Sequence, residues 1–116
     1  GKVETYDDIV LLGGARTPFV KMAGSLKDVP ALEMLRLAMV GALQKTGVKP
    51  QSVNQVIVGN IIANDEQKAF LARQAALAVG LSKGTIASEV NRLCGTGFEA
   101  ARLAAHELVN GGDSII

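Results

Sequence analysis

Residues 30–59, PALEMLRLAMVGALQKTGVKPQSVNQVIVG, hold an amphipathic run followed by a short β-branched one, and the change of period between them decides the fold class. Leu32, Leu35, Met39 and Leu43 recur at helical spacing, which places them on one face of a helix from about Pro30 to Thr46. Proline suits the first turn, where its missing N–H would be unpaired anyway, and Gly47 suits the far end. Val53 to Gly59 then reads as a buried strand closed by glycine.

Working outward, Asp8 to Gly14 (DIVLLGG) is a continuous apolar run ending in glycines, which predicts a first strand buried on both faces. Ala15 to Asp28 shows no steady period and reads as a long loop, of the kind that often carries function. Strand, helix and strand together predict a right-handed parallel crossover. Asn60 to Gln67 is polar and loop-like, after which Leu71, Ala75, Ala78 and Val79 form a second helical face with Gly80 just beyond it. Thr85 to Val90 is a third, weaker strand, followed by Asn91 to Gly97 and a third helix to about Asn110.

In that last helix Phe98, Ala101, Ala105, Leu108 and Val109 form an apolar stripe, and Ala100, Leu103 and Ala104 make the other side nearly as apolar. It is expected to be buried on most of its circumference. Gly111 and Gly112 stop it, and Asp113 to Ile116 begins a fourth strand, so the chain reads as cut in or before that strand. The expected architecture is α/β, βαβαβα plus the start of a strand, with a mainly parallel buried sheet and helices on both faces.

Composition narrows the function classes. At 116 residues one core, or part of one, is expected, and 48% hydrophobic residues exclude a disordered chain. With a formal net charge of +1 and no Trp, the chain lacks both the basic strip and the stacking platforms of a nucleic-acid binder. No apolar run reaches the roughly 20 residues of a membrane span, and the polar N-terminus is not signal-like, so a cytoplasmic protein is expected. A single cysteine makes no internal disulfide and fits a reducing compartment.

That cysteine, Cys94, is the one candidate catalytic residue. At a helix start it meets the positive end of the macrodipole and unpaired N–H groups, which favour thiolate over thiol. Gly95 and Gly97 leave room for an acyl group and its carrier to approach the backbone. The alternative is that Cys94 is only a small buried hydrophobe, although glycines that weaken a helix start are not needed for packing. A second alternative is that Gly95-Thr96-Gly97-Phe98-Glu99-Ala100 is a dinucleotide fingerprint. Against it, Asn91, Arg92 and Cys94 replace the usual apolar lead-in, and Asp113 precedes the next apolar pair rather than following it. His106, the only histidine, lies about 18 Å along the helix at 1.5 Å per residue and is out of reach as a base for Cys94. One His and one Cys make no metal site, and Arg73 and Arg92 receive no role.

Five segments in order, Ala15-Arg16-Thr17-Pro18-Phe19, Gly24 to Asp28, Val56 to Asn60, Leu71 to Leu77 and Asn91 to Gly97, resemble the thiolases over nearly the whole chain. The Asn-Arg-Leu-Cys-Gly wording, and the Leu-Ala-Arg run after Asn64-Asp65-Glu66-Gln67, look most like the 3-ketoacyl-CoA thiolase and acetyl-CoA acetyltransferase branch. Val20 stands where the family often has glycine, and Thr96 where serine is commoner.

The resemblance implies a thiolase-like βαβαβαβ half-domain, with residues 1–116 a partial N-terminal domain whose loop and C-terminal domains are absent. It implies that Cys94 takes an acyl group from an acyl-CoA or 3-oxoacyl-CoA and exchanges it with CoA or acetyl-CoA, its own N–H contributing to an oxyanion hole. It implies no metal or redox cofactor, only CoA thioesters as substrates, and no assignable CoA contacts within these residues. The family's catalytic His, Asn and second Cys have no counterpart here, so the fragment alone is expected to be inactive. A homodimer formed around the third strand, or a tetramer, is expected, and a mitochondrial or peroxisomal location is compatible if the source is eukaryotic. Ketoacyl synthases, hydroxymethylglutaryl-CoA synthase and a non-catalytic binding or assembly module with the same frame remain the alternatives.

Overall fold

A computed structural model of the chain describes residues 3, 5–63 and 70–116. Its regular elements are α1 (Ala31–Thr46), β1 (Gln55–Gly59), α2 (Leu71–Ala78), β2 (Ile86–Val90) and α3 (Thr96–Val109). The second half of the expected 60–67 loop lies outside the described residues.

Pro30 and Gly47 flank α1 as its caps, and Gly47 takes the left-handed conformation (φ 71°) and donates its N–H to the Leu43 carbonyl at 2.9 Å. Met39 and Leu43 are buried, and Leu32 and Leu35 pack against the core from its rim, as the helical spacing predicts. On α2 the buried face is Leu71, Ala72, Ala75 and Ala76 rather than the line through Ala78, which is exposed because the helix ends there.

β1 and β2 pair in parallel, Gln55 opposite Ile86 and Gly59 opposite Val90. Strand side chains alternate between faces. Val56, with 0% exposure, and Val58 therefore point to one side, where they join Met39, Leu43, Leu71, Ala75 and Ala76 in the core. Ile57 and Gly59 point to the other, and Gly59 meets Thr96 of α3 there. α1 and α2 thus cover one face and α3 lies on the other, so helices occupy both faces of a parallel α/β sheet as expected.

The far edge of β1 is taken by Ser114–Ile116. Ile116 donates to the Gln55 carbonyl at 3.1 Å, and Ile57 donates to the Ile116 carbonyl at 2.9 Å. Asn54 holds the approach, its Oδ1 accepting from the N–H groups of Asp113 (2.8 Å) and Ser114 (2.7 Å).

Two expectations about the elements need correction. Asp8 to Gly14 does not form a strand here: it has no ladder partner among the described residues, and Leu11 is 94% exposed. An apolar run becomes a strand only when a neighbour accepts its backbone bonds, and the edge of β1 away from β2 is taken by Ser114–Ile116. Nor is α3 buried around most of its circumference. Thr96 is its one buried residue among those described, Phe98 is 86% exposed, and Val109 is exposed too.

The surface carries the same message. At 8155 Å² it exceeds the roughly 6,000 Å² of a folded monomer of this mass. Val10, Leu12, Phe19, Met22, Ile62, Phe70, Ile86 and Leu93 contribute to that excess as exposed apolar side chains.

Candidate active site

Cys94 stands on a 3-10 turn (Leu93–Gly95) between the end of β2 and the first residue of α3, and it is exposed. The residue before it is the unusual one. Leu93 has φ 50°, a left-handed conformation that costs a side-chain-bearing residue about 1–2 kcal/mol.

The neighbouring side chains hold that conformation. Asn91 Oδ1 accepts from the Leu93 N–H at 2.9 Å, and Asn91 Nδ2 donates to the Ile61 carbonyl at 3.3 Å. The Thr96 hydroxyl accepts from the Arg92 N–H at 2.8 Å and donates to the Leu93 carbonyl at 2.7 Å. Gly95 closes the turn by donating to the Arg92 carbonyl at 3.1 Å. Among the described residues these bonds engage the N–H groups on both sides of Cys94 and leave its own out.

Thr96 is anchored from below. The residue is buried at 5% exposure, and a Cβ added to Gly59 would lie 2.6 Å from Thr96 Cγ2. The glycine that ends β1 is therefore what lets α3 come this close to the sheet. Gly95 and Gly97, by contrast, have nothing within 4 Å of where a Cβ would stand.

Charge around the turn is balanced. Glu99 Oε1 lies 2.6 Å from Arg102 Nη2, and Glu99 Oε2 lies 3.6 Å from Arg92 Nη1. The Arg102 hydrogen bonds hold the Glu99 carboxyl below the usual carboxylate range, with the charges of Arg102, Arg92 and His106 adding to the effect against partial desolvation. Arg92 is thereby tied to the first turn of α3.

β2, which delivers the turn, is fixed by two contacts that the spacing of residues did not reveal. The Arg73 guanidinium donates to the Thr85 carbonyl (3.0 Å) and the Lys83 carbonyl (2.9 Å). Glu89 accepts from Asn60 Nδ2 (2.9 Å) and from the Ala72 N–H in the first turn of α2 (3.3 Å). Earlier in the chain, Arg16 stacks over the Phe19 ring at 4.5 Å within the Ala-Arg-Thr-Pro-Phe segment.

His106 sits toward the far end of α3, its ring edge-on to Tyr6 at 6.3 Å, in a shallow cleft with Thr5, Val109 and Asn110. The structure thus keeps the histidine away from Cys94. Among the described residues no three His, Cys, Asp or Glu side chains gather as metal ligands. The Asx-type bond of Asn91 was legible in principle, since asparagine two residues before a strained position often bonds its backbone. The Thr96–Gly59 contact has no sequence signal, because it joins residues from different elements.

Fold and site together define a class: an α/β protein whose lone cysteine stands on a tight strand-to-helix turn against a parallel sheet. Comparison with known proteins makes the class specific. The family profile described as Thiolase, N-terminal domain, matches residues 9–116. Acetyl-CoA acetyltransferase of Cupriavidus necator is 38% identical over 94% of this chain and 28% of its own length. Mitochondrial 3-ketoacyl-CoA thiolase of Bos taurus is 33% identical over 93% of this chain and 27% of its own. A crystal structure of human mitochondrial 3-ketoacyl-CoA thiolase in complex with CoA superposes with a TM-score of 0.84 at 36% identity, covering 86% of this chain and 25% of the human one. The chain belongs to the thiolase family, and it spans about a quarter of the length of these relatives.

Proposed function

We propose that these residues supply the nucleophile of a thiolase acyltransferase, with Cys94 as the residue that carries the acyl group. The observation that carries this reading is an exposed cysteine on a turn, preceded by a residue held left-handed and followed by Gly95 and, beyond Thr96, Gly97, both with open space where a Cβ would stand.

In the degradative direction the Cys94 thiolate attacks the 3-oxo carbon of a 3-oxoacyl-CoA. The bond between carbons 2 and 3 then breaks, and its electron pair leaves as the enolate of acetyl-CoA, which takes a proton. The shortened acyl group remains as a thioester on Cys94 until the thiol of free CoA attacks it, loses its proton to a base, and releases the Cys94 thiolate. Condensation runs the same steps backwards, starting from an acyl-CoA and the enolate of acetyl-CoA. The Cys94 N–H, left out of the turn's hydrogen bonds among the described residues, is suited to an oxyanion forming at the attacked carbonyl.

The proton acceptors for these steps lie outside this arrangement, since His106 is turned to Tyr6. In this reading the 116 residues alone therefore do not turn over acyl-CoA. CoA thioesters are the substrates and no further cofactor takes part; the CoA bound to the human thiolase supports that substrate class. A second copy of the protein is the expected partner, placed along the outer edge of β2, which no described strand pairs and where Ile86 is exposed. Cytoplasm or, as for the bovine relative, mitochondrion is compatible with a chain in which no described helix is long and apolar enough to cross a membrane.

The test is acyl trapping in the protein made from its natural coding sequence. Brief incubation with acetyl-CoA, quenching and peptide mass spectrometry should show one acetyl group on the peptide containing Cys94, and Cys94→Ala should abolish both the label and thiolysis. Undiminished turnover in Cys94→Ala would sink the proposal. Absence of acyl transfer by the natural protein would favour a non-catalytic module.

A further inference from the structure

We infer that Thr96 and Asn91 are positioning residues for Cys94, together setting the turn that presents its sulfur and its N–H. This rests on the reading of Cys94 as nucleophile and adds to it the groups that hold the nucleophile in place.

The geometry makes the demand specific. Leu93 is held at φ 50°, where a leucine gains nothing by itself, so the energy that keeps it there must come from its surroundings. Two side chains supply bonds to Leu93. Asn91 Oδ1 takes its N–H at 2.9 Å, and the Thr96 hydroxyl donates to its carbonyl at 2.7 Å. The same hydroxyl accepts from the Arg92 N–H at 2.8 Å, so one oxygen satisfies a donor and an acceptor on either side of the strained peptide. Only serine or threonine offers both functions from so short a side chain.

Threonine does more than serine here. Its second branch restricts χ1, and its Cγ2 rests where a Cβ on Gly59 would approach to 2.6 Å, which fixes the rotamer against the end of β1. The hydroxyl is consequently aimed at the turn before any substrate arrives. Relaxing Leu93 to a right-handed conformation would redirect the Cys94 peptide, moving both the N–H that now stays out of the turn's bonds and the side chain that follows it.

The experiment measures steady-state thiolysis of a 3-oxoacyl-CoA by the protein made from its natural coding sequence, with Thr96→Val, Thr96→Ser, Asn91→Leu and Cys94→Ala. Valine keeps the shape of Thr96 and removes the hydroxyl. We expect Thr96→Val to lower kcat about tenfold or more while KM stays within about twofold. Serine should recover most of that loss, a rescue that a packing role alone would not give because serine lacks the methyl that valine retains. Asn91→Leu, which leaves the Thr96–Gly59 contact intact, should also lower kcat at nearly constant KM, and it decides the matter if Thr96→Val fails to fold. Wild-type kcat in Asn91→Leu together with wild-type kcat in a folded Thr96→Val, or with a Thr96→Val that does not fold, overturns the inference. So does a Thr96→Ser no better than Thr96→Val. If Cys94→Ala is inactive while both turn variants are wild-type, only the positioning role falls; if Cys94→Ala remains active, the nucleophile reading falls and this inference with it.

Discussion

Thr96 Cγ2 occupies the space above Gly59 so closely that a methyl group on that glycine would stand 2.6 Å from it, well inside van der Waals contact. A residue ending one strand of the sheet is thereby in direct register with the residue that begins α3 and closes the turn carrying Cys94. Gly59→Ala is expected to destabilise the protein by about 1–3 kcal/mol through overpacking. The double variant Gly59→Ala with Thr96→Ser removes the opposing methyl and should recover at least half of that cost. Urea denaturation of the single and double variants measures the coupling directly. Additive behaviour would show that the contact is not what Gly59 provides.

Arg73 joins α2 to the segment entering β2 through two carbonyl oxygens, those of Thr85 and Lys83. A planar guanidinium holds both in a fixed fork, whereas an ammonium is a point charge on a flexible stem. Arg73→Lys should therefore cost about 1 kcal/mol, and Arg73→Ala somewhat more, read as a shift in denaturation midpoint. A lysine variant as stable as the parent would show that the two bonds add nothing beyond water.

Glu89 caps α2 from a neighbouring strand, its carboxylate accepting from the Ala72 N–H while also holding Asn60. Negative charge at a helix start is favourable and a capping acceptor satisfies one of its unpaired donors. Glu89→Ala is expected to cost about 1 kcal/mol, with Glu89→Gln losing roughly half as much because one oxygen acceptor survives. Equal losses in the two variants would mean that charge, not acceptance, is what matters.

The sequence carried these relationships unevenly. The helical face of α1 and the strand of Val56 and Val58 were legible, because periodicity reports which side of an element meets the core. So was the position of Cys94 before a helix, since the glycines around it interrupt the apolar pattern. Asp8 to Gly14 was not, because an apolar run records only that burial is wanted and not whether a partner strand is present to give it. The exposure of Phe98 on α3 has the same origin. The contacts of Thr96 with Gly59, of Arg73 with Lys83 and Thr85, and of Glu89 with Ala72 join separate elements, and no local pattern encodes such a meeting.

The carboxyl of Glu99 gives the acid limb of stability a specific source. It bonds Arg102 within α3 and lies 3.6 Å from Arg92 of the Cys94 turn, and its affinity for a proton is lowered from an ordinary value near 4.5, mainly by the Arg102 hydrogen bonds. A carboxyl whose folded value is depressed binds protons more weakly in the native state than in the unfolded one, so its contribution is complete above about pH 4.5 and is lost as pH falls through the depressed value. Glu33, held down in the same way by Arg36, adds to the same limb. Glu99→Gln should therefore flatten the decline in stability below about pH 4.5, leaving the Glu33 part, and Glu99→Gln with Glu33→Gln should flatten it further. Near pH 7 the single variant is expected to be only slightly less stable, because both arginine partners of Glu99 are about half or more open to water and such pairs contribute little. Denaturation midpoints taken between pH 3 and pH 7 on the parent and both variants are the measurement, and an acid limb of unchanged steepness in the double variant would assign it to other carboxyls.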